Sequence, residues 1–244
     1  MAVRRRSDGS RGKLPWRSPS PAGRLDTVLH ALLEGITKFY PRFIKLLGVL
    51  MAVSAVAGVP DSAQLVQPLS VGARAPIFEA RTTEGTLRTF LPDNYKKPTV
   101  VLFYRGGWCP YCNAQLSDLH LVEPKLRKSG FEIVFLSTDR PELLYSSLKA
   151  TDIHYTLLSD NHLEAAKSFH VAYHVDDATF AKMREYGVDL EASTGTKQHE
   201  LPVPSVFIID TSGTIRFVYS NPDYKIRLGA DELWTAAQPF ATTK

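Results

Sequence analysis

The feature that most constrains the fold of this chain is a strand-like run that leads into a C-x-x-C motif. Val100–Tyr104 is apolar and rich in strand formers, and Cys109 and Cys112 follow it where helical spacing begins. They are the only cysteines among the 244 residues. A strand leading into C-x-x-C at a helix N-terminus is typical of thiol–disulfide chemistry, because the helix end favours a thiolate over a thiol. We therefore predict a redox-active pair.

Two other uses of the cysteine pair have less support. A structural disulfide across so small a loop would constrain little of the unfolded chain. A structural zinc site needs four ligands, and the seven histidines offer no matching pair. His170 and His174, at i,i+4 spacing, fit a polar surface pair. We expect neither a metal nor an organic cofactor, and a copper or zinc half-site with a distant histidine is the third hypothesis.

Charge is concentrated at the N-terminus. The first 24 residues hold seven basic residues and one acidic residue, so the remainder is close to neutral although the net charge is +4. A nearly neutral remainder gives no argument for a nucleic-acid partner. We expect residues 1–41 to form a basic extension, disordered or partly helical, because Gly, Ser and Pro separate its first arginines.

A hydrophobic segment follows at 42–63. Basic residues precede an uncharged run over 46–59, and small residues lie near its end. This order is typical of a signal peptide, and the run is short for a membrane span. We predict an exported, periplasmic protein or one tethered to a membrane through 42–59. A cytoplasmic protein with a packed helix over 25–57 is the alternative.

Beyond a linker at 64–72, the pattern is that of an α/β domain over 73–240. Apolar strand patterns at 131–137 and 155–159 are separated by helical spacing, which implies parallel strands joined by right-handed crossovers. Each strand is assigned from a run of about 4–8 residues that is rich in strand formers.

Hairpins are expected on both sides of this parallel unit, at 77–90 and 206–219, and a helix at 230–238 closes the domain. The helix that begins near Cys109 carries Pro124, which would bend it or end it early.

The order hairpin, β-α-β, then β-β-α resembles the thioredoxin fold, with a central mixed sheet flanked by helices and an N-terminal extension. The string Phe103–Cys112 is more specific and is similar to the peroxiredoxin-like branch of the AhpC/TSA family, the alkyl hydroperoxide reductases and thiol-specific antioxidants. Val71–Phe78 resembles the usual entry into that family's domain, and Phe207–Arg216 its later hairpin. The resemblance covers about residues 70–240.

This resemblance implies an oxidoreductase, a thiol-dependent peroxidase acting on hydrogen peroxide or organic hydroperoxides. Cys109 would attack the peroxide, Cys112 would resolve the product as an intramolecular disulfide, and a thioredoxin-type thiol donor would reduce that disulfide. The competing hypothesis is exchange with the disulfides of other proteins, with Pro110 and Tyr111 tuning the reduction potential of the pair.

Two positions depart from the family's usual pattern. A Thr normally lies three residues before the attacking cysteine and an Arg near the start of the later strand, whereas here Gly106 and Pro204 occupy these places. Arg105 could supply a guanidinium or lie exposed. Pro204 matches the cis proline of thioredoxin-fold proteins, and we expect a cis bond that aims the backbone of Val203 at a substrate. Trp108, directly before Cys109, is a further candidate for a residue that supports the active site.

The segment 170–200 is longer than the simplest thioredoxin fold requires. Two stretches in it, 171–174 and 181–187, look partly helical. We expect the segment to lie beside the cysteines, where it would shape substrate access or a dimer contact; surface filler is the alternative. It contains three further site candidates: Tyr173, His174 and His199.

Overall fold

The computed structural model describes residues 58–145 and 155–242, in which a mixed seven-stranded sheet is flanked by helices. The strands are β1 (Phe78–Arg81), β2 (Leu87–Phe90), β3 (Thr99–Tyr104), β4 (Glu132–Ser137), β5 (Thr156–Ser159), β6 (Ala172–His174), β7 (Glu200–Pro202), β8 (Ser205–Ile209) and β9 (Ile215–Ser220). The α-helices are α1 (Pro110–His120), α2 (Glu123–Lys128), α3 (Glu164–Ser168), α4 (Asp177–Glu185), α5 (Leu190–Thr194) and α6 (Ala230–Ala237). Short 3-10 helices lie at Ala63–Leu65, Pro92–Asn94, Pro141–Leu143 and Gln238–Phe240. The predicted thioredoxin-like α/β fold is confirmed.

The main sheet has the strand order β2-β1-β5-β4-β3-β8-β9. As the alternation of strands and helices predicts, β3, β4 and β5 are parallel, while β1–β2 and β8–β9 form antiparallel hairpins. Strand β3 lies between β4 and β8 and all six of its residues are buried. The loop after β3, which leads to the two cysteines, therefore starts from a strand in the interior of the sheet.

The first helix ends early, as its proline predicts. Helix α1 stops at His120, and a separate short helix, α2, begins at Glu123 with Pro124 in its first turn. Proline has no N–H to donate to the preceding turn, so it is tolerated only where a helix begins.

The segment 170–200 differs from its prediction in one stretch. Residues 171–174 look partly helical from sequence, but Ala172–His174 is strand β6, which pairs antiparallel with β7 in a separate two-stranded sheet. That prediction is wrong because the pairing partner of Tyr173 is Leu201, too distant in sequence for a local pattern to show. The second stretch lies largely in α4, whose N-terminus is capped by the carboxylate of Asp176.

The predicted basic extension and most of the hydrophobic segment lie outside the described residues, so export or tethering stays a prediction. Nearer the domain, backbone hydrogen bonds hold the chain against the sheet: His174 N–H donates to Pro60 O (2.7 Å) and Gly72 N–H to Ile215 O (2.9 Å). In residues 58–145 and 155–242, no helix has the length and apolar character to cross a membrane.

Apolar side chains pack on both faces of the sheet. One cluster includes α1, α2, α6 and both cysteines, and the other lies under α3. In the second cluster the fully buried ring of Phe169 lies 4.8–5.4 Å, between centroids, from the rings of Phe78, Phe103 and Phe207. This ring therefore joins α3 to three strands.

Replacing Phe169 by Ala should lower the free energy of unfolding by about 3–5 kcal/mol, because the change leaves a cavity under the sheet. Urea denaturation of Phe169→Ala measures the loss. Tyr186→Ala is the matched control, since Tyr186 is 75% exposed and its loss should change stability by less than about 0.5 kcal/mol. A Phe169→Ala midpoint equal to that of the control would contradict this packing.

Candidate active site

Both cysteines lie at the N-terminus of α1. Cys109 is the N-cap residue, with extended backbone, and Cys112 lies in the first turn. The Cys109 carbonyl accepts hydrogen bonds from Cys112 N–H (3.0 Å) and Asn113 N–H (3.1 Å). Pro110 takes the first helical position, where the missing N–H has no partner to lose. The two cysteines are free thiols and are buried: 1% of the surface of Cys109 and 0% of the surface of Cys112 is exposed.

The loop that precedes the cysteines is fixed by a buried carboxylate. Asp139, which follows β4, accepts a hydrogen bond from Gly107 N–H (2.7 Å) and others from the hydroxyls of Ser137 (3.0 Å) and Ser193 (2.6 Å). Burial raises the pKa of Asp139, and these three donors oppose the rise. Because Ser193 belongs to α5, Asp139 joins the active-site loop to the segment 170–200.

Gly106 explains one departure from the family's pattern. Its φ of +147° is a conformation that favours glycine, and a Cβ there would lie 2.3 Å from Nε1 of Trp108. A threonine cannot occupy this position without moving the Trp108 ring. Any side-chain group that assists Cys109 must therefore come from elsewhere.

Arg227 is the functional residue that sequence reasoning missed. Its Nη2 lies 3.5 Å from Cys112 Sγ and 4.0 Å from Cys109 Sγ, while Nη1 donates to Gln115 Oε1 (3.1 Å) and Nε to Tyr224 O (2.6 Å). It reaches the thiols from the loop between β9 and α6, more than 110 residues along the chain. In the sequence it is one more basic residue in a polar loop, which gives no local signal.

The environment separates the pKa values of the two thiols. The pKa of Cys109 is lowered to about 6, and the largest cause is hydrogen bonding from the Cys112 thiol, which outweighs the opposing effect of burial. The Cys112 backbone N–H and the charges of Arg105 and Arg227 contribute to the same lowering. Burial raises the pKa of Cys112 well above its ordinary value, and the bond to Cys109 adds to the rise. Cys109 is therefore the thiolate and Cys112 the neutral thiol near neutral pH.

Arg105 is buried rather than exposed, with 6% of its surface accessible. Its guanidinium lies over the rings of Trp108 (5.0 Å) and Tyr224 (4.3 Å), and its Nη2 is 3.9 Å from the sulfur of Met183. Tyr111 is 40% exposed and meets the Tyr224 ring edge-on at 5.6 Å. These aromatic rings therefore form one side of the site.

The expected cis proline is wrong. The peptide bond before Pro204 is trans, like the others in 58–145 and 155–242. Val203 N–H donates to Val171 O (2.8 Å), continuing the pairing of β6 with β7, so this backbone group holds the segment rather than facing a substrate. The trans form, lower in free energy by about 0.5–1 kcal/mol for an X–Pro bond, suits this extended path. Pro204 itself is buried between β7 and β8.

The segment 170–200 lies beside the site, because the Trp108 ring packs against an apolar cluster formed by Val175, Met183 and Leu190 of the segment together with Leu201. Tyr173 is also close: burial raises its pKa and the charge of Arg105 lowers it. His199 instead contacts Glu191 (2.8 Å) and the ring of Phe180. The described contacts of His174 and His199 do not include either cysteine.

Metal binding is the third hypothesis for the role of the cysteines. Across 58–145 and 155–242, His, Cys, Asp and Glu side chains form no group of three or more that could hold a metal ion.

Comparison with known proteins identifies the family. The sequence model of the AhpC/TSA family matches residues 71–218. The chain belongs to the AhpC/TSA family. Peroxiredoxin Bcp of Escherichia coli K12 is 30% identical over 156 residues, 64% of this chain and 88% of that protein. The chloroplastic peroxiredoxin Q of Gentiana triflora is 29% identical over 153 residues, 63% of this chain and 60% of that protein.

Solved structures show the same fold. The chain matches peroxidoxin BcpB of Mycobacterium tuberculosis with a TM-score of 0.54 at 19% identity, over 71% of this chain and 99% of that one. Reduced Prx3 of Vibrio vulnificus matches with a TM-score of 0.55 at 13% identity, over 70% and 99%. The predicted family is confirmed, and with it the predicted class of enzyme, an oxidoreductase that is a thiol-dependent peroxidase.

Replacing Arg227 by Gln should raise the pKa of Cys109 by roughly one unit, because a positive charge next to the thiolate is lost. The rate of Cys109 alkylation by iodoacetamide, measured against pH in a Cys112→Ser background, reports this pKa. Arg216→Gln is the control, since Arg216 pairs with Asp210. An unchanged alkylation profile in Arg227→Gln would contradict the assigned role of Arg227.

Proposed function

We propose that this protein reduces hydrogen peroxide or an organic hydroperoxide through Cys109, that Cys112 resolves the product, and that a thioredoxin-type donor recycles the enzyme. The observation that carries the proposal is the asymmetry of the two thiols. Cys109 has a lowered pKa and lies at the helix N-terminus, whereas Cys112 has a raised pKa and lies deeper. The site therefore holds one nucleophile and one reserve thiol.

In the first step the Cys109 thiolate attacks one peroxide oxygen. The S–O bond forms as the O–O bond breaks, sulfur loses two electrons, and the remaining oxygen leaves as alkoxide or hydroxide and takes a proton from water. Cys109 becomes a sulfenic acid. The guanidinium of Arg227 lies within 4.0 Å of both sulfurs and supplies positive charge where negative charge moves from sulfur to oxygen.

In the second step Cys112 resolves the sulfenic acid. Its sulfur attacks the Cys109 sulfur, the S–O bond breaks, and the hydroxyl leaves as water with the proton of Cys112. The product is an intramolecular disulfide. Because Cys112 lies one helical turn away, the approach needs little rearrangement.

In the last step a dithiol donor reduces the disulfide by exchange through a mixed disulfide. Exchange with protein disulfides by the same pair is the competing function. The burial of both sulfurs favours the peroxidase, since a small peroxide needs less access to a sulfur than a folded protein disulfide does. The donor must gain access to one sulfur after oxidation, so a local opening of the disulfide form belongs to the proposal.

We also propose, from the sequence of 42–63, that the protein is exported or attached to a membrane. The order of basic, apolar and small residues supports it. N-terminal sequencing of the natural protein tests it: a start near Ala63 supports cleavage. A chain recovered intact from the soluble cytoplasmic fraction would contradict both forms of the proposal.

The peroxidase mechanism predicts different behaviour for the two cysteine variants. Cys109→Ser should consume no peroxide above background. Cys112→Ser should undergo one oxidation, leaving a sulfenic acid on Cys109 that dimedone traps and mass spectrometry locates. The wild type treated with one equivalent of peroxide should instead contain the Cys109–Cys112 disulfide.

The competing function is measured on the same samples. Insulin reduction with a thioredoxin system or dithiothreitol should be slow compared with peroxide consumption. Rapid insulin reduction without dimedone-trapped Cys109 in Cys112→Ser would overturn the peroxidase and favour disulfide exchange.

A further inference from the structure

The two arginines beside the thiols use their hydrogen-bond donors differently. The nitrogens of Arg227 have partners in Tyr224 O, Gln115 Oε1 and the two sulfurs. Arg105 is more deeply buried, yet its Nη2 contacts only the weakly accepting sulfur of Met183, at 3.9 Å, and its Nε has no acceptor in the described structure. Arg105 is thus a buried cation with unused donors.

Among the residues that the structure describes, no carboxylate pairs with Arg105. The ion pairs formed within 58–145 and 155–242 do not include it, and aromatic rings of Trp108 and Tyr224 lie against its guanidinium. The buried carboxylate of Asp139, near the same loop, is used by Gly107 N–H and two hydroxyls. A buried charge without a partner is unfavourable.

In the reduced protein the balancing anion is the Cys109 thiolate. The charges of Arg105 and Arg227 both act on this sulfur, and Arg227 lies within hydrogen-bond reach of it. Disulfide formation removes that negative charge, because both sulfurs become neutral. The oxidised protein then keeps two guanidinium groups beside an uncharged disulfide, and one of them has free donors.

We propose that the oxidised protein binds a small carboxylate anion at Arg105, in place of the negative charge that Cys109 carries in the reduced protein. A carboxylate matches the planar donors of a guanidinium. The proposal rests on the Cys109–Cys112 disulfide of the proposed function. The reduced protein binds the anion weakly, because the thiolate repels it.

A ligand that prefers the oxidised form lowers the reduction potential of the pair. Where the anion saturates the oxidised protein, each tenfold rise in its concentration should raise the oxidised-to-reduced ratio tenfold. For a two-electron couple this is a fall of about 30 mV. When small carboxylates accumulate, reduction of the disulfide by the thiol donor therefore becomes less favourable.

The test uses the full chain, oxidised with diamide and equilibrated with dithiothreitol buffers at fixed pH. Sodium formate is the probe, and sodium gluconate, whose anion is much bulkier than formate, keeps the ionic strength constant. The disulfide fraction is counted by alkylation and mass spectrometry. We expect the potential to fall with formate in the wild type and to be independent of formate in Arg105→Met, while Arg216→Met, an exposed control, behaves as wild type.

Direct binding keeps the test decisive if Arg105→Met does not fold. Carbon-13 formate should show exchange broadening with the oxidised wild type and much less with the reduced wild type. Chloride in place of formate separates charge from shape: a smaller effect of chloride supports carboxylate recognition, and an equal effect overturns it in favour of any small anion.

A potential that does not depend on formate, a dependence that persists in a folded Arg105→Met variant, or a pair that diamide cannot close would each overturn the proposal. Diamide makes these results independent of peroxide turnover. A failure of the peroxidase mechanism appears instead as absent dimedone trapping at Cys109.

Discussion

The stabilisation of a thiolate on Cys109 by the neighbouring Cys112 thiol is the effect on which the chemistry of this protein depends. Two cysteines in one helical turn would otherwise be nearly equivalent, and either could ionise. Burial keeps the proton on Cys112, and that proton stabilises the charge on Cys109. Arg227 strengthens the difference, because its guanidinium reaches both sulfurs but only one of them carries a charge.

The surrounding fold holds these groups in place through contacts between distant parts of the chain. Strand β3 leads into the active-site loop from between two neighbouring strands, and Asp139, just after β4, fixes that loop through Gly107. Gln115 of α1 binds both Arg227 and the carbonyl of Leu228, which locks the loop after β9 over the helix start. The family's usual threonine is absent, and the charges of Arg105 and Arg227, which belong to two separate segments, act on the thiolate instead.

The sequence predicts the fold well because its signals are local. The main strand patterns, the two hairpins and the end of the first helix before Pro124 all depend on neighbouring residues, and each agrees with the structure. What depends on long-range contact is missed. Strand β6 needs β7 as its partner, Arg227 needs the loop after β9 to fold back, and the trans bond at Pro204 follows from a backbone pairing with Val171. The burial of Arg105 depends on rings brought from Tyr224 and on Met183.

The most direct measurement of the central claim is a pH titration of thiolate ultraviolet absorbance in the reduced wild type and in Cys109→Ser. The wild type should show one thiol that ionises below the ordinary range and a second that ionises above it. Cys109→Ser should retain only the high ionisation. Two thiols that titrate together at the ordinary value, or a low ionisation that survives in Cys109→Ser, would contradict the account.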